Sequence, residues 1–545
     1  MFVFFDRIKT DLPGARSQDR YLPFFFLFFI ALLPRVLCLW QMQHSVLVDY
    51  LPLDAAGYDR WGGLLANGGA ESENFPGLPF YAHFLGGLYR LFGHDLRVIR
   101  IAQILMGALT CVLTYQLAKD LTGSVKAAAT AFATALLFRP AVFYEMFPLT
   151  ETFSAFLCVF LVFLLLKSCG RTSLLELFFA GSLAGLGLGT RANYGAVFPA
   201  LVLWLIVAFP RQRTKVLLSF LCGAAFVLAS FNLVNHGSGK SFFLTGHNTG
   251  ISFFVGNGPY ADGRSLRFPW VPPSDKDLPQ AFRSAAEWKT GKRFTDPELS
   301  SFWYRETLDY VQKHPKKFLE LLLTKFRLLV SGFEMPDIFS ISFLSPFLPT
   351  LCLFPLNFFW LLPLALGGTV LCFSLEKKQL LPALVVLSYA ASILVVLVHE
   401  RYKVPLYPLW AIYAASGVVA FFNKNVSRTK KIAAVIVIVV LLAISSDRAF
   451  INIYGGTPSA GYHLLGLHYL NKKHFPEAAA MFRKNLDVAP AARLADAHNS
   501  LGAALEGNRQ WKEAEQEYRT AIKLEPSYPL PRENLQRLES KMDHR

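Results

Sequence analysis

The sequence predicts an all-α protein in which a polytopic membrane domain of about eleven transmembrane helices precedes a small α-helical repeat domain. Composition, charge distribution and an internal repeat support this prediction. Of the 545 residues, 53% are hydrophobic and only 17% are charged, and the mean hydropathy is +0.36. The charged residues are concentrated in particular stretches, which leaves long apolar runs between them. Such runs favour helices that cross a bilayer over a large soluble core.

Each apolar run is close to the ~20 residues that a bilayer core requires. The predicted spans are 22–43, 98–118, 127–143, 149–166, 174–190, 194–210, 215–235, 346–374, 379–398, 404–422 and 432–446. A charged segment at 316–333 is predicted instead as an amphipathic helix in the membrane interface. The resulting domains are an N-terminal segment 1–21, a membrane domain 22–446, a linker 447–460 and a repeat domain 461–540.

Basic residues in every second connection predict the orientation of the chain. Examples are Lys119 with Lys126, the segment 211–215, and Lys424 with Lys431. By the positive-inside rule these connections are cytoplasmic, so the N-terminus is cytoplasmic and the C-terminal repeats are extracytoplasmic. We therefore expect a multi-pass protein of the cell (inner) membrane with outer loops at about 44–96 and 236–317. The net charge of +16 is accounted for by these loops and does not indicate nucleic-acid binding.

The C-terminal part repeats itself at a spacing of about 36 residues, as tetratricopeptide repeats do. The recurring pairs are Gly466 and Gly502, Phe475 and Trp511, Ala478 and Ala514, Phe482 and Tyr518, and Pro490 and Pro526. Two repeats are fewer than the roughly three that an independent array needs. They are interpreted either as a docking module for a protein partner or as a stabilising cap.

Ionisable residues near a membrane are costly and are therefore functional candidates. Asp54 lies just beyond the first span, and Tyr58 and Trp61 follow on the same helical face. A carboxylate there could accept a proton from an incoming hydroxyl or amine. The alternative is that Asp54 caps a helix over 55–66, a position that Asp favours.

Other candidates stand at the outer ends of later spans. Glu145 and Glu151 flank the start of the fourth span, where Glu151 could also simply complement the helix dipole. Arg191 follows the fifth span, and its guanidinium suits a phosphate or carboxylate partner, or snorkels to lipid headgroups. External cations near the tenth span suggest a bound anion such as a lipid phosphate, or alternatively simple anchoring in the membrane interface. These cations are Arg401 and Lys403, with Tyr402 between them as a further candidate.

No nucleotide, metal or hydrolase motif accompanies these residues. The glycines of 181–189 lie inside an apolar span and indicate close helix packing, not a dinucleotide site. The seven cysteines lie in or beside apolar spans without metal-ligand spacing. We therefore expect no cofactor, and leave open whether a divalent metal takes part.

The order of these segments resembles the GT-C glycosyltransferases, in particular the protein O-mannosyltransferases and the lipid A aminoarabinose transferase. The matching pieces are Asp54 with Tyr58, Pro76–Tyr81, Leu91–Gly93, Phe143–Glu151, Gly189–Arg191, Gly246–Asn248, Gly256 with Asn257, Ala261–Gly263, Ala286–Gly291, Lys325, Glu334 and Arg401–Pro405. The resemblance spans about 22–422, and proteins that join such a domain to tetratricopeptide repeats are the most similar.

The resemblance implies inverting transfer of a sugar from a polyprenyl-phosphate donor to a protein, lipid or polysaccharide acceptor on the outer face. It implies that Asp54 is the base. Glu151 is a further catalytic candidate, and Arg191, Arg401 and Lys403 are candidates for the donor phosphate by position, not by a strict family motif. The predicted substrate-binding residues are Tyr58, Trp61, Glu145, Arg191, Asn257, Arg401, Tyr402 and Lys403. One departure is that Ala55 follows Asp54 where many relatives carry a second acidic residue, so the role of a metal stays open.

Two other functions compete with this interpretation. One is a non-enzymatic membrane anchor that presents the repeats for envelope assembly, and the other is a ligase or polymerase of lipid-linked oligosaccharides. A transporter is less compatible with the sequence, because the polar residues cluster at one face and do not follow a midplane pathway.

Overall fold

The computed structural model describes residues 17–69, 80–170, 172–236, 249–263, 278–333, 335 and 340–543. Within these ranges the regular structure is helical, apart from an isolated β-bridge between Phe138 and Leu356. The prediction of an all-α membrane protein is therefore confirmed. The helices are α1 Ser17–Gln43, α2 Leu53–Ala66, α3 Phe80–Phe92, α4 Leu96–Thr122, α5 Val125–Leu136, α6 Arg139–Glu145, α7 Thr150–Gly170, α8 Leu174–Leu188, α9 Tyr194–Ala208, α10 Arg213–His236, α11 Thr249–Asn257, α12 Leu278–Thr290, α13 Asp296–Lys313, α14 Pro315–Val330, α15 Ile341–Leu344, α16 Phe358–Cys372, α17 Lys377–Val395, α18 Glu400–Lys403, α19 Tyr407–Phe422, α20 Arg428–Ser445, α21 Arg448–Tyr454, α22 Ser459–Asn471, α23 Phe475–Val488, α24 Leu494–Gly507, α25 Trp511–Leu524 and α26 Leu530–Asp543.

Six helical segments of the described chain are long and apolar enough to cross a bilayer. They are Pro23–Gln43, Leu96–Thr122, Thr150–Cys169, Arg213–Phe231, Lys377–Val395 and Glu400–Phe422. Shorter apolar helices are α5, α8, α9 and α16. The structure thus supports a multi-pass membrane protein, while the predicted count of about eleven spans stays a prediction.

Two predicted spans are interrupted, and the interruptions meet. The predicted span 127–143 is divided between α5 and α6, and the predicted span 346–374 begins with a 3₁₀ helix, Pro349–Leu353, before α16. The amide of Arg139 donates to the carbonyl of Leu356 at 2.8 Å, and the amide of Leu356 donates to the carbonyl of Leu137 at 3.1 Å. Each break therefore satisfies backbone groups of the other, which is the condition for irregular backbone inside a membrane protein.

The chain forms two compact units. The first contains residues 1–40, 53–333 and 350–451, and the second contains 41–52, 334–349 and 452–545. In the first unit, glycines allow helices to approach closely: a Cβ on Gly181 would lie 1.9 Å from the carbonyl oxygen of Phe220, and one on Gly223 would lie 2.0 Å from that of Phe178. This contact between α8 and α10 is the close packing predicted for the glycines of 181–189.

The second unit contains five successive helices, α22 to α26, each packed on the next. Gly466 lies against the ring of Phe482, and Gly502 lies against the ring of Tyr518. Each glycine thus makes room for the aromatic ring of the following helix, and both pairs share the spacing that the sequence shows. The tetratricopeptide assignment and the domain boundaries 447–460 and 461–540 stay predictions. The unit also contains the segments 41–52 and 334–349.

Candidate active site

Asp54 lies in the first turn of α2 and pairs with Arg401. Its Oδ2 is 2.8 Å from Nη1 of Arg401. The helix begins at Leu53, so Asp54 is a first-turn residue and does not cap a helix over 55–66. The carboxylate is 53% exposed, whereas Arg401 is 12% exposed. Asp54 therefore presents a carboxylate held by a cation on one side and open on another.

Glu151 contacts Arg401 of this pair and also a second arginine, Arg191. Its Oε1 lies 3.0 Å from Nη1 of Arg191 and 4.0 Å from Nε of Arg401. Glu151 lies in the first turn of α7 and is 1% exposed, and Arg191, in the connection between α8 and α9, is 7% exposed. Burial at this depth requires charge pairing, because an isolated buried ion is strongly disfavoured. Two carboxylates and two guanidinium groups from four parts of the chain thus form one cluster, which we call the acid–arginine cluster (Asp54, Glu151, Arg191, Arg401).

Tyr402 connects the two arginines of this cluster. Its ring lies 5.1 Å from Cζ of Arg191 and 5.2 Å from Cζ of Arg401. A guanidinium over an aromatic face is attracted by the ring quadrupole. Tyr402 therefore helps to fix the separation and orientation of both cations.

Tyr58 and Trp61 lie beyond Asp54 on α2. Tyr58 packs edge-on against Tyr81 at 5.1 Å, and Trp61 is 7% exposed. Burial, and next the nearby Asp54 and Glu151 carboxylates, raise the pKa of Tyr58 above its ordinary value. The phenol therefore stays protonated and can only donate or accept a neutral hydrogen bond.

The ring contact at Tyr58 continues into a buried hydrogen-bond chain. Tyr81 donates from its hydroxyl to Oε1 of Gln103 at 2.8 Å. Gln103 in turn donates to the carbonyls of Glu145 and Phe147 at 2.9 and 2.7 Å. This chain connects α2 to the connection that precedes Glu151.

Glu145 belongs to a second buried pair. Nε of Arg35 donates to Oε1 of Glu145 at 3.0 Å, and the two side chains are 0% and 1% exposed. Arg35 also donates to the carbonyl of Ala31 at 2.9 Å. Burial raises the pKa of Glu145 to about 7, although the Arg35 guanidinium favours the ionised form. These contacts support a positioning role for Glu145, whose substrate-binding role stays a prediction.

Asn257 is held by Lys325 and by the end of α17. Nζ of Lys325 donates to Oδ1 of Asn257 and to the carbonyl of Val396, each at 2.7 Å. Asn257 donates from Nδ2 to the carbonyl of Val395 at 2.9 Å. Both side chains are 0% exposed, and burial lowers the pKa of Lys325 to about 7. The pair fixes the backbone shortly before Arg401.

Lys403 and Arg401 contact different residues. Its Nζ donates to the carbonyl of Ser331 at 2.9 Å and lies 4.7 Å from the ring centroid of Phe358. The residue is 0% exposed. The predicted contact of Lys403 with a donor phosphate stays a prediction, and the present contacts attach α18 to the end of α14.

The sequence reasoning singled out every member of the acid–arginine cluster, but it missed the buried residues around it. Arg35 and Gln103 were overlooked, although a charged residue in the middle of the first apolar span is a recognisable signal. Tyr389 was also missed: its ring packs on Tyr194 at 5.9 Å, and its hydroxyl has no hydrogen-bond partner among the described residues. Nothing in the sequence distinguishes it from a packing aromatic.

Metal-binding capacity is a separate question, because the sequence left it open. Over the described ranges, no group of three or more His, Cys, Asp or Glu side chains is arranged to hold a metal ion. The acid–arginine cluster pairs its carboxylates with cations instead.

Comparisons with known proteins give one family match and several similar structures. Residues 76–234 match the sequence model of the family described as dolichyl-phosphate-mannose-protein mannosyltransferase. A comparison with curated proteins gives no match. The crystal structure of ArnT from Cupriavidus metallidurans bound to undecaprenyl phosphate is 13% identical, with a TM-score of 0.42 over 91% of this chain and 79% of that one. The apo structure of the same protein is also 13% identical, with a TM-score of 0.42 over 95% of this chain and 78% of that one.

The family match covers the segment that contains Gln103, Glu145, Glu151 and Arg191. It therefore includes two members of the acid–arginine cluster. From outside the matched range, Arg401 approaches Glu151 and pairs with Asp54. Residues 76–234 thus carry a domain of the dolichyl-phosphate-mannose-protein mannosyltransferase type, which confirms the predicted resemblance to the GT-C glycosyltransferases.

Proposed function

We propose that this protein transfers a sugar from a polyprenyl-phosphate donor to an acceptor on the extracytoplasmic face, with inversion at the anomeric carbon. The supporting observation is the contact of Asp54 with Arg401 in a cluster whose other half lies in a mannosyltransferase-type domain. The name of the matched family supports a hexose, specifically mannose, as the transferred sugar. The polyprenyl tail would stay in lipid, and the phosphosugar would reach the cluster at the membrane surface.

The exposure of Asp54 supports a role as general base. Its carboxylate is half exposed, so an acceptor hydroxyl or amine can approach it. In the proposed step the acceptor atom attacks the anomeric carbon and passes its proton to Asp54. The bond from that carbon to the phosphate oxygen breaks at the same time, and the phosphate leaves with the electron pair. A single displacement of this kind inverts the anomeric centre.

Arg401 and Arg191 are suited to the departing phosphate. A guanidinium presents several N–H donors in one plane and binds phosphate oxygens bidentately. Charge that develops on the leaving group is stabilised most by donors already in position. Glu151, buried and bonded to Arg191, is in our proposal a positioning residue that holds the cation, and Tyr402 separates the two guanidinium groups.

The test compares Asp54→Asn with Asp59→Asn. Both residues lie on α2, but Asp59 accepts from the Tyr89 hydroxyl and lies 3.0 Å from Nε2 of His94. Purified protein in nanodiscs would receive undecaprenyl-phosphate-[³H]mannose and, as acceptor pool, membranes of a strain that lacks the gene. Loss of a general base costs about 10²- to 10⁴-fold in rate, so Asp54→Asn should lose at least 10²-fold while Asp59→Asn keeps most activity.

Two results would contradict the proposal. Equal rates for wild type and Asp54→Asn would show that Asp54 is not the base. If the wild-type protein transferred an aminopentose but no mannose from the corresponding polyprenyl-phosphate donors, the assignment of a hexose would be contradicted. Analysis of the labelled product by mass spectrometry identifies the acceptor class.

A further inference from the structure

Arg401 is carried by a short and irregular stretch of backbone. It lies on α18, a helix of four residues, and residues 396–399 connect α18 to the end of α17 without helical structure. A single helical turn is unstable by itself, because nucleation of a helix is unfavourable. The position of the Arg401 guanidinium therefore depends on contacts that this stretch makes with the rest of the chain. All of the contacts described below lie within the first compact unit.

Two buried lysines attach the backbone on both sides of Arg401 to α14. Before α18, Nζ of Lys325 on α14 donates to the carbonyl of Val396 at 2.7 Å. At the end of α18, Nζ of Lys403 donates at 2.9 Å to the carbonyl of Ser331, directly after α14. Both lysines are 0% exposed. Helix α14 thus holds the short helix at each of its ends.

Helix α11 completes the attachment before α18. Its last residue, Asn257, accepts from Nζ of Lys325 at 2.7 Å and donates to the carbonyl of Val395 at 2.9 Å. The amide of Val398 donates to the carbonyl of Gly263, also at 2.9 Å. Several backbone groups just before α18 are therefore bonded to distant elements. A buried carbonyl that loses its donor is costly, so these bonds favour a single arrangement of the stretch.

Close packing fixes the same stretch. A Cβ on Gly256 would lie 1.9 Å from the carbonyl oxygen of Val396, so α11 approaches this backbone directly. Leu397 and Tyr402 both pack against the apolar core that α11, α12 and α13 share. Tyr402 is also the ring that lies beside the guanidinium groups of the acid–arginine cluster. One core thus holds a residue on each side of Arg401.

We propose that Lys325 and Asn257 are positioning residues, which hold 396–399 so that the Arg401 guanidinium meets the donor phosphate. Groups that bind a reacting substrate must be kept within about 0.5 Å of their productive geometry. Lys325 and Asn257 are themselves fully buried, and both bond to the backbone at the end of α17, so they act through Arg401 and do not touch the donor. This inference rests on the proposed contact of Arg401 with the donor phosphate.

A double-mutant cycle on donor binding tests the route through Arg401. Calorimetric titration of the full-length protein in nanodiscs with undecaprenyl phosphate measures affinity without turnover. Lys325→Met keeps the apolar stem but removes the donor, and it should weaken binding about tenfold, a typical coupling within one hydrogen-bond network. In the Arg401→Gln background the same change should alter affinity less than about twofold, because its effect passes through the missing guanidinium.

Two glycines of α11 provide a matched pair of variants. A Cβ at Gly256 would lie 1.9 Å from the carbonyl oxygen of Val396, and a Cβ at Gly250 would lie 2.0 Å from that of Ser300 on α13. Both alanine variants crowd the same helix, but only Gly256→Ala acts on 396–399. It alone should speed hydrogen–deuterium exchange over 396–405 and weaken undecaprenyl phosphate binding. This pair keeps the test informative if Lys325→Met fails to fold.

The outcomes separate this inference from the proposed function. Wild-type affinity for undecaprenyl phosphate in both Lys325→Met and Gly256→Ala would overturn the positioning role. A full tenfold effect of Lys325→Met in the Arg401→Gln background would also overturn it, since Lys325 would then act by another route. If Arg401→Gln alone binds undecaprenyl phosphate like the wild type, the proposed phosphate contact of Arg401 fails. Exchange over 396–405 in Lys325→Met then still decides whether Lys325 holds this stretch in place.

Discussion

Glu151→Gln and Asp54→Asn remove one negative charge each from the same cluster, but they should have very different effects on stability. Glu151 is 1% exposed and lies 3.0 Å from Arg191 and 4.0 Å from Arg401. Asp54 is 53% exposed. Both substitutions conserve side-chain size, so neither creates a cavity. The difference between them therefore isolates the electrostatic effect of burial.

The expected magnitudes follow from this difference in exposure. Removing one partner of a buried ion pair costs about 3–5 kcal/mol, because the remaining charge is left without compensation. Here two guanidinium groups would face the neutral amide. An exposed pair contributes about 0–1 kcal/mol, so Asp54→Asn should hardly change stability. Glu151→Gln should thus lower both stability and transfer, whereas Asp54→Asn should slow transfer at least 10²-fold in a protein of wild-type stability.

Thermal unfolding in nanodiscs, followed by tryptophan fluorescence, checks both values alongside the transfer assay. A double variant, Glu151→Gln with Arg191→Met, provides the control. Because it removes the uncompensated cation as well, it should recover much of the stability that Glu151→Gln loses. Equal melting temperatures for Glu151→Gln and Asp54→Asn, or no recovery in the double variant, would refute the reasoning.

Three further predictions concern the residues that support the site. Burial lowers the pKa of Lys325 from 10.5 to about 7, so between these pH values the unfolded chain binds more protons than the folded one. The melting temperature should therefore rise as the pH increases from 7 to 9. Lys325→Met should remove that rise. Gly181→Ala should destabilise the protein because its Cβ would lie 1.9 Å from a carbonyl oxygen, whereas Gly195→Ala, with no atom within 4 Å, should be neutral or slightly stabilising in the same unfolding assay. Arg35→Met should lower the free energy of unfolding by about 3–5 kcal/mol, because it leaves Glu145 buried and unpaired. The double variant Arg35→Met with Glu145→Met should recover part of that stability. A double variant as unstable as Arg35→Met would argue against a stabilising ion pair.

The helical architecture could be predicted from the sequence because runs of apolar residues have few alternatives in a bilayer. The predicted spans over 127–143 and 346–374 were wrong in detail. Each contains a break, and the two breaks satisfy each other through Arg139 and Leu356. Proline interrupts helices, and Pro140 lies at the first break. The other break lies more than two hundred residues away along the chain, and a single sequence does not encode that pairing readably.

In the candidate site, too, single residues could be predicted from the sequence but their contacts could not. Asp54, Glu151, Arg191 and Arg401 could be selected one by one, since each is an ionisable residue beside an apolar span. Their assembly into one cluster depends on tertiary packing, which cannot be read from a single sequence. Lys403 and Glu145 show that proximity to Arg401 or Glu151 along the chain does not determine a side chain's contacts. Lys403 donates to the carbonyl of Ser331, and Glu145 pairs with Arg35. Their predicted roles in substrate binding stay predictions.

The charge balance of the acid–arginine cluster has a consequence for how an anionic donor would bind. Each guanidinium already faces a carboxylate, so a donor phosphate would compete with these carboxylates for the guanidinium N–H groups. Asp54 is the carboxylate that can yield, because it is half exposed while Glu151 is buried. Phosphate binding to Arg401 would then release Asp54 at the moment when an acceptor proton needs a base. On this reasoning Asp54→Asn, which removes the competing charge, should bind undecaprenyl phosphate at least as tightly as the wild type although its transfer is at least 10²-fold slower. Weaker binding by Asp54→Asn in a calorimetric titration would mean that the aspartate helps to hold the donor and does not compete with it.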